Sequence, residues 1–308
     1  METVDCKPHP VQSIKLPLRL KENKYAEIRQ YYDIAGPDYE MWSRNFNMHF
    51  GYCRTFSDIF FLEKMLKNMN EEVLHRLQID PVAESNIADL GCGVGTVARH
   101  TAKKFLLAKI TGITIVDSQI EKGKALILKD GLQNRILLQN ENFEKLHLHD
   151  MSFTHAYAIE SACHANGTGK ELFIKEMARV LKSGGRFSIA DGFIKHSKKH
   201  PWLFNYIYKK IIKFWALPSF GNILEFQENL KKYNLTDIKI EEISMRIAPS
   251  VAYVPWISIK FFVTELWRNK SLRLKKERWN NVFAPVLGML LGLFRRHFGY
   301  YLISGRKK

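Results

Sequence analysis

The sequence predicts an α/β protein: a Rossmann-like core of seven mostly parallel strands, the last antiparallel, with N-terminal helices before it and a helical, aromatic-rich cap. Three observations carry this. From residue 86 onward short apolar runs alternate with helical periodicity, a pattern that builds a parallel sheet covered on both faces. The first of these runs enters a glycine-rich turn, Gly91-Cys-Gly-Val-Gly95, directly ahead of a helix start. Two later stretches interrupt the alternation with dense Trp, Phe and Tyr among lysines.

Taken in order, residues 1–20 read as a polar tail broken by Pro8, Pro10 and Pro17. Residues 21–80 read as a helical segment closing over the sheet edge. Within it, 56–77 carries Ile59, Phe60, Leu62, Met65, Leu66, Met69, Val73 and Leu77 at the spacing of one long amphipathic helix. Residues 81–308 form the core, with strands expected at 87–90, 109–115, 136–138, 154–159 and 185–190, and helices at 96–105, up to 126, and 169–181. A helix at 224–232, a strand at 238–243 and a last strand at 300–304 complete it. Cap insertions fall at about 195–222 and 249–295.

A chain of 308 residues admits one large domain or a core domain with a substantial cap. At 46% hydrophobic and 25% charged, it has the composition of a folded protein rather than a disordered one. The net charge of +16 suits nucleic acid, an anionic membrane or an acidic partner, and does not choose among them. Cys6, Cys53, Cys92 and Cys163 are scattered, with no Cys-x-x-Cys pair and no histidine cluster at ligand spacing, so a reducing compartment and no metal are expected. The polar N-terminus predicts no signal peptide. The longest apolar run, 283–294, is too short to span a bilayer. The expectation is a cytoplasmic protein, with peripheral membrane contact and a merely solvated basic surface both open.

The run Ile87-Ala-Asp-Leu-Gly-Cys-Gly-Val-Gly95 is the most specific signal. A strand, a glycine turn and a helix N-terminus make a nucleotide-sized site at the carboxyl edge of a parallel sheet. The spacing is not Gly-x-Gly-x-x-Gly, Asp89 lies inside it, and no Gly-Lys-Ser/Thr ending follows. That combination fits an adenosyl ligand lacking a pyrophosphate, S-adenosyl-L-methionine. Asp89, Gly91, Cys92, Gly93 and Gly95 are its candidate contacts.

The run Met151-Ser-Phe-Thr-His-Ala-Tyr-Ala-Ile-Glu-Ser-Ala-Cys-His-Ala165 resembles the sterol C-methyltransferases, where Ser-Phe-Asp leads into Tyr-Ala-Ile-Glu-Ala-Thr-Cys-His-Ala. Tyr31-Tyr-Asp-Ile-Ala-Gly-Pro-Asp-Tyr-Glu-Met-Trp42 and Phe46-Asn-Met-His-Phe50 resemble that family's N-terminal aromatic motif, with related patterns in tocopherol methyltransferases and cyclopropane fatty-acid synthases. Residues 215–220 and 247–249 look more like the tocopherol-type enzymes, and Asp191 departs from the sterol pattern. The resemblance, from Tyr31 to the end, implies a class I methyltransferase core. It also implies that Thr114, standing where most such enzymes carry an acid, and Gln119 touch the ribose side. Asn142 and Phe143 would lie beside the adenine, and Tyr32, Met48 and His49 would close over the methionine part; for Tyr32 a plain packing role stands beside this one. Asp117 reads as a helix N-cap.

Glu160 and His164 are the candidate catalytic residues. In methylation of an alkene carbon, Glu160 would stabilise the resulting carbocation and His164 would take the proton lost. In methylation of a phenol oxygen, His164 would take the hydroxyl proton. A structural role for each is the alternative. The aromatic cap suits a lipophilic acceptor such as a sterol, a terpenoid alkene or a prenylated ring. No nucleic-acid partner is expected: Glu160-Ser-Ala-Cys-His follows the fourth strand instead of the Asn/Asp-Pro-Pro-aromatic run of adenine methylases. A binding protein without catalysis is the remaining alternative.

Overall fold

The computed structural model describes residues 18–270 and 273–308; most of the expected polar tail lies outside them. In chain order come α1 (Leu18–Ala35), α2 (Tyr39–Trp42) and α3 (Leu62–Leu77), then β1 (Ser85–Leu90), α4 (Thr96–Lys104), β2 (Ala108–Thr114), α5 (Asp117–Lys129) and β3 (Ile136–Asn140). They are followed by β4 (Phe153–Ile159), α6 (Glu171–Val180), β5 (Leu181–Ile194), α7 (Trp202–Phe214), β6 (Gly221–Asn222) and α8 (Ile223–Lys232). The chain ends with β7 (Leu235–Glu242), α9 (Ser244–Val251), α10 (Val254–Asn269), α11 (Lys276–Gly292) and β8 (Phe298–Lys307).

The sheet runs β3-β2-β1-β4-β5-β8-β7, with the two-residue β6 beside β5. Pairs are parallel except that β8 runs antiparallel to β5 and β7. The winding reverses between β1 and β4, and in such sheets a crevice opens outside the carboxyl ends of those strands. Met69, Val73 and Leu77 of α3 pack with Val97 and Ala98 of α4 on one face. Phe173, Ile174 and Met177 of α6 pack with Phe226 and Leu230 of α8 on the other.

Several expectations need correction. Residues 56–77 are not one helix: a 3-10 turn, Phe56–Phe60, precedes α3. Buried Asp58 accepts the backbone N–H groups of Arg54 at 2.9 Å and Thr55 at 3.0 Å, which fixes the turn. Phe56, Phe60 and Phe61 are left exposed. β5 and β8 outrun their apolar cores because a nine-residue antiparallel register, Arg186↔Arg306 to Ile194↔Phe298, carries the polar ends along. Val116, not Asp117, is the N-cap of α5, and Asp117 accepts from Asn140 Nδ2 instead. The helical stretch Ser244–Arg268 is long and apolar enough, by length and composition, to cross a membrane, contrary to the reading of the apolar runs, and only 17% of its apolar 18-residue window is buried. Finally, the fold gathers His196, His200 and His297 into a cluster that spacing along the chain does not reveal.

Gly91 shows how the sheet edge is joined. Its φ of +95° lies in the region that side chains avoid, and its N–H and that of Cys92 both donate to Ile113 O at 2.9 Å. A Cβ there would stand 2.2 Å from Ser161 Cβ, so the loops after β1 and β4 leave room between them for the Ser161 side chain alone. Gly91→Ala is expected to cost about 2–4 kcal/mol in urea unfolding. Adding Ser161→Gly should return part of the loss, because the clash is relieved while the backbone angle is not.

Candidate active site

Two cavities meet at the crevice. The smaller, about 100 Å³, is lined from the sheet side by Asp89, Gly91, Cys92, Gly93, Thr114, Gln119, Asn142 and Phe143. Tyr32, Met48 and His49 reach it from the N-terminal segment. The larger, about 500 Å³, has aromatic walls that include Trp42, Phe50, Trp215, Phe220, Phe261 and Phe298. Tyr32, Met48, His49, Glu160 and His164 line both. Of the candidate cofactor-binding and catalytic residues, only Gly95 is outside the smaller cavity: a Cβ there would meet Leu138 and Ile127. Gly93 is the glycine of the turn whose missing side chain leaves cavity space, since a Cβ would stand 3.3 Å from Met48 Sδ.

The polar groups of the smaller cavity are set by local bonds. The Thr114 hydroxyl donates to Gln119 Oε1 at 2.7 Å, so the amide N–H groups of Gln119 are the part left for a ligand. Asp89 accepts from the Tyr157 hydroxyl at 2.9 Å, and burial pushes its carboxyl up to about 7. At the rim, the Tyr25 hydroxyl donates to Glu144 at 2.6 Å, and Asn166 bridges the two, stitching α1 over the crevice.

Glu160 stands on the wall between the cavities. It ends β4 with φ at +49°, a conformation that side-chain-bearing residues hold only where the surroundings enforce it. The enforcement is visible. Its Oε1 accepts from Phe50 N at 2.7 Å and from the Tyr300 hydroxyl at 2.8 Å. Burial nevertheless pushes the carboxyl up to about 8, with Asp191 adding to the shift and the two donors opposing it.

The two histidines differ in what they leave available. His164 Nε2 lies 3.0 Å from the Tyr32 hydroxyl, and its buried Nδ1 has no partner among the described residues. Burial, helped by Lys170, lowers its pKa to about 3, so the ring is neutral at physiological pH. His49 Nδ1 faces the Phe50 carbonyl at 2.9 Å. A carbonyl only accepts, so the proton is on Nδ1 and Nε2 keeps its lone pair. That nitrogen too is buried without a partner among the described residues.

Lys170 and Tyr300 escaped the sequence reading. Lys170 is 1% exposed and donates to the carbonyls of Cys163, Ala165 and Ser219 at 2.7–3.1 Å, fastening the loop that bears His164. Asp191 accepts from the N–H groups of Cys163 and Gly192 at 2.8 and 2.7 Å, and burial pushes it up to about 6. No local pattern announces a buried lysine on carbonyls. Tyr300 could be found only by placing the last strand beside β5. Over the larger cavity, Arg278 binds Asp38 at 2.8–3.1 Å and Glu265 at 2.7–3.0 Å, tying the N-terminal segment to α10 and α11.

Comparison with known proteins agrees with this geometry. A family model described as "Methyltransferase domain" matches residues 88–189. The O-methyltransferase resE of Aspergillus sclerotiorum is 30% identical over 202 residues, covering 66% of this chain and 73% of that protein. The sterol 24-C-methyltransferase ERG6B of Gibberella zeae is 33% identical over 172 residues, covering 55% of this chain and 42% of that protein, so the match spans under half of the sterol enzyme. The crystal structure of geranyl diphosphate C-methyltransferase from Streptomyces coelicolor superposes with a TM-score of 0.66 at 15% identity, covering 92% of this chain and 98% of that one, and shares the fold.

The chain belongs to the class I S-adenosylmethionine-dependent methyltransferases. Its relatives within that class include sterol C-methyltransferases and an O-methyltransferase. The crevice suits the cofactor of the class: the floor at Gly93 is bare, Gln119 offers amide donors, and a carboxyl at Glu160 borders the space. Gly93, Thr114, Gln119, Asn142 and Phe143 would hold the adenosine, with Met48 and His49 toward the methionine.

Because Glu160 ionises near 8, a cation bound beside it favours the carboxylate and releases a proton. Affinity for S-adenosylmethionine is therefore expected to rise as pH increases from about 6.5 to about 9. The neutral thioether product should show a weaker dependence, and Glu160→Gln should flatten the upper part of the curve. Titration calorimetry in buffers of different ionisation heat reads both the affinity and the proton release.

Proposed function

We propose that this chain methylates a lipophilic small molecule, on a carbon of an isoprenoid alkene in preference to an oxygen. The observation that carries the reading is the aromatic-walled cavity of about 500 Å³ that shares Glu160, His164 and His49 with the cofactor crevice. Such a space suits a bulky apolar guest. A sterol C-methyltransferase and a geranyl diphosphate C-methyltransferase among its likenesses support carbon as the acceptor; resE supports the oxygen alternative.

When bound, S-adenosylmethionine supplies an electrophilic methyl group. The chain's residues hold the acceptor against that group and keep water out. Trp42, Phe50 and Trp215 on the wall of the larger cavity carry ring quadrupoles that would favour positive charge arising on the acceptor. Glu160, once ionised, does the same more strongly in a dry site. The histidines favour carbon over oxygen. A histidine with a pKa of about 3 taking a proton from a phenol of pKa about 10 works uphill by on the order of 10 kcal/mol. A proton beside a carbocation is far more acidic and needs only a weak base, such as His164 Nδ1 or His49 Nε2.

A second reading concerns where the acceptor is found: the cap rests on a membrane surface from which the substrate enters. Its support is α10, whose Trp256, Ile259, Val263, Leu266 and Trp267 are exposed along one face while Val254 and Phe261 are buried on the other. Exposed Lys260, Arg268, Lys270, Lys275 and Lys276 surround that face, giving an apolar stripe edged with cations. The neighbouring Phe56, Phe60 and Phe61 extend the apolar area.

Incubation with methyl-labelled cofactor and a total lipid extract should place label in a neutral isoprenoid fraction, and Glu160→Gln should lower it at least about 100-fold while cofactor binding persists. Label confined to phenolic ethers would sink the carbon assignment. In flotation with anionic vesicles, Trp256→Glu/Trp267→Glu is expected to reduce binding about tenfold or more. Equal flotation of wild type and variant would exclude α10 as the contact.

A further inference from the structure

We propose that His196, His200 and His297 form a binding site for a borderline divalent transition-metal ion of the Zn²⁺ or Co²⁺ type, separate from the methyl-transfer centre. His196 and His200 lie in the loop between β5 and α7, and His297 lies in the turn between α11 and β8. One ring nitrogen from each is within 4.8 Å of the other two, and all three rings are half-buried. The three ring centroids form a triangle with sides of 5.0 Å each. Imidazoles bound tetrahedrally at a metal–nitrogen distance of about 2.05 Å hold their centroids about 5 Å apart, so the cluster already has the spacing of three corners of such a site.

The hydrogen bonding points the same way. His200 Nδ1 and His297 Nδ1 face each other at 3.0 Å, where one proton satisfies both. Two nitrogens on a tetrahedral ion stand about 3.3 Å apart, close to that separation. His196 Nδ1 is buried with no partner among the described residues, a lone nitrogen beside two others. Lys195, next to His196 in the chain, pairs with Glu242 at 2.6 Å, while Lys199 and Arg296 adjoin His200 and His297 in sequence.

Three imidazoles and no carboxylate select a borderline ion over Mg²⁺ or Ca²⁺, which demand oxygen. Three protein ligands leave a fourth position for water. The ion would join the loop leading into the cap to the turn leading out of it. Phe298, the residue after His297, lines the large cavity, and Phe204, stacked on His200, opens the cap helix α7.

The test uses the full chain, stripped with chelator and titrated with Co²⁺ and Zn²⁺. Expected are uptake of about one ion per chain, tetrahedral Co²⁺ absorption in the visible, and a melting rise of about 5 °C at saturating Zn²⁺. His196→Gln and His297→Gln should each abolish the absorption while the heat of cofactor binding stays unchanged. No uptake by the wild-type chain would overturn the proposal, as would uptake that persists in the double variant. Should the variants not fold, acylation of the wild-type histidines decides by peptide mass spectrometry: Zn²⁺ protection of all three supports the site, and equal labelling with and without metal rejects it.

Discussion

The carboxyl group of Glu160 is where the architecture converges. One of its oxygens receives the amide of Phe50 from the N-terminal segment and the hydroxyl of Tyr300 from β8, while its own backbone closes β4. Segments separated by 110 and 140 residues thus meet on a single atom. Both donors favour the charged form, yet withdrawal from water prevails and keeps the group protonated until mildly alkaline pH. Its left-handed backbone is the cost of presenting that acid between two compartments.

Around that point the fold divides labour. The parallel sheet and its glycine turn make a small, rigid crevice. Elements outside the doubly wound pattern make everything else: α1 covers one side, and α9, α10 and α11 roof a chamber five times larger by volume, about 500 against about 100 Å³. The loop between them is pinned by Lys170, whose buried ammonium is neutralised by three carbonyl dipoles instead of a carboxylate. Leaving it among unpaired carbonyls without the cation would strand several acceptors at once.

What the sequence discloses follows the range of the forces involved. The alternation of β1 through β5 is legible because the inner strands are largely buried on both faces and read as apolar runs, with the edge strand β3 the shortest signal. The crevice residues are legible because a strand, a glycine turn and a helix start are contiguous. The glycines themselves mislead in part. Gly91 is demanded by Ser161 and Gly95 packs toward Leu138, so only Gly93 owes its identity to the cavity. Tyr300, Lys170 and the histidine cluster are illegible because their partners lie far along the chain. His200 and His297 are 97 positions apart, and only the antiparallel return of β8 brings them together. Asp58 makes the same point locally, since one buried carboxylate turned an apparent helix into a 3-10 turn and a break.

The clasp at Arg278 bears on how the enzyme turns over. Asp38 follows α1, the helix that shutters the crevice, while Glu265 and Arg278 belong to the roof of the chamber. Tyr31 of α1 also donates to Asn281 of α11 at 2.7 Å. Shutter and roof are therefore mechanically one piece. Displacing the first would break bonds that hold the second, so the ways out for spent cofactor and finished product are structurally coupled.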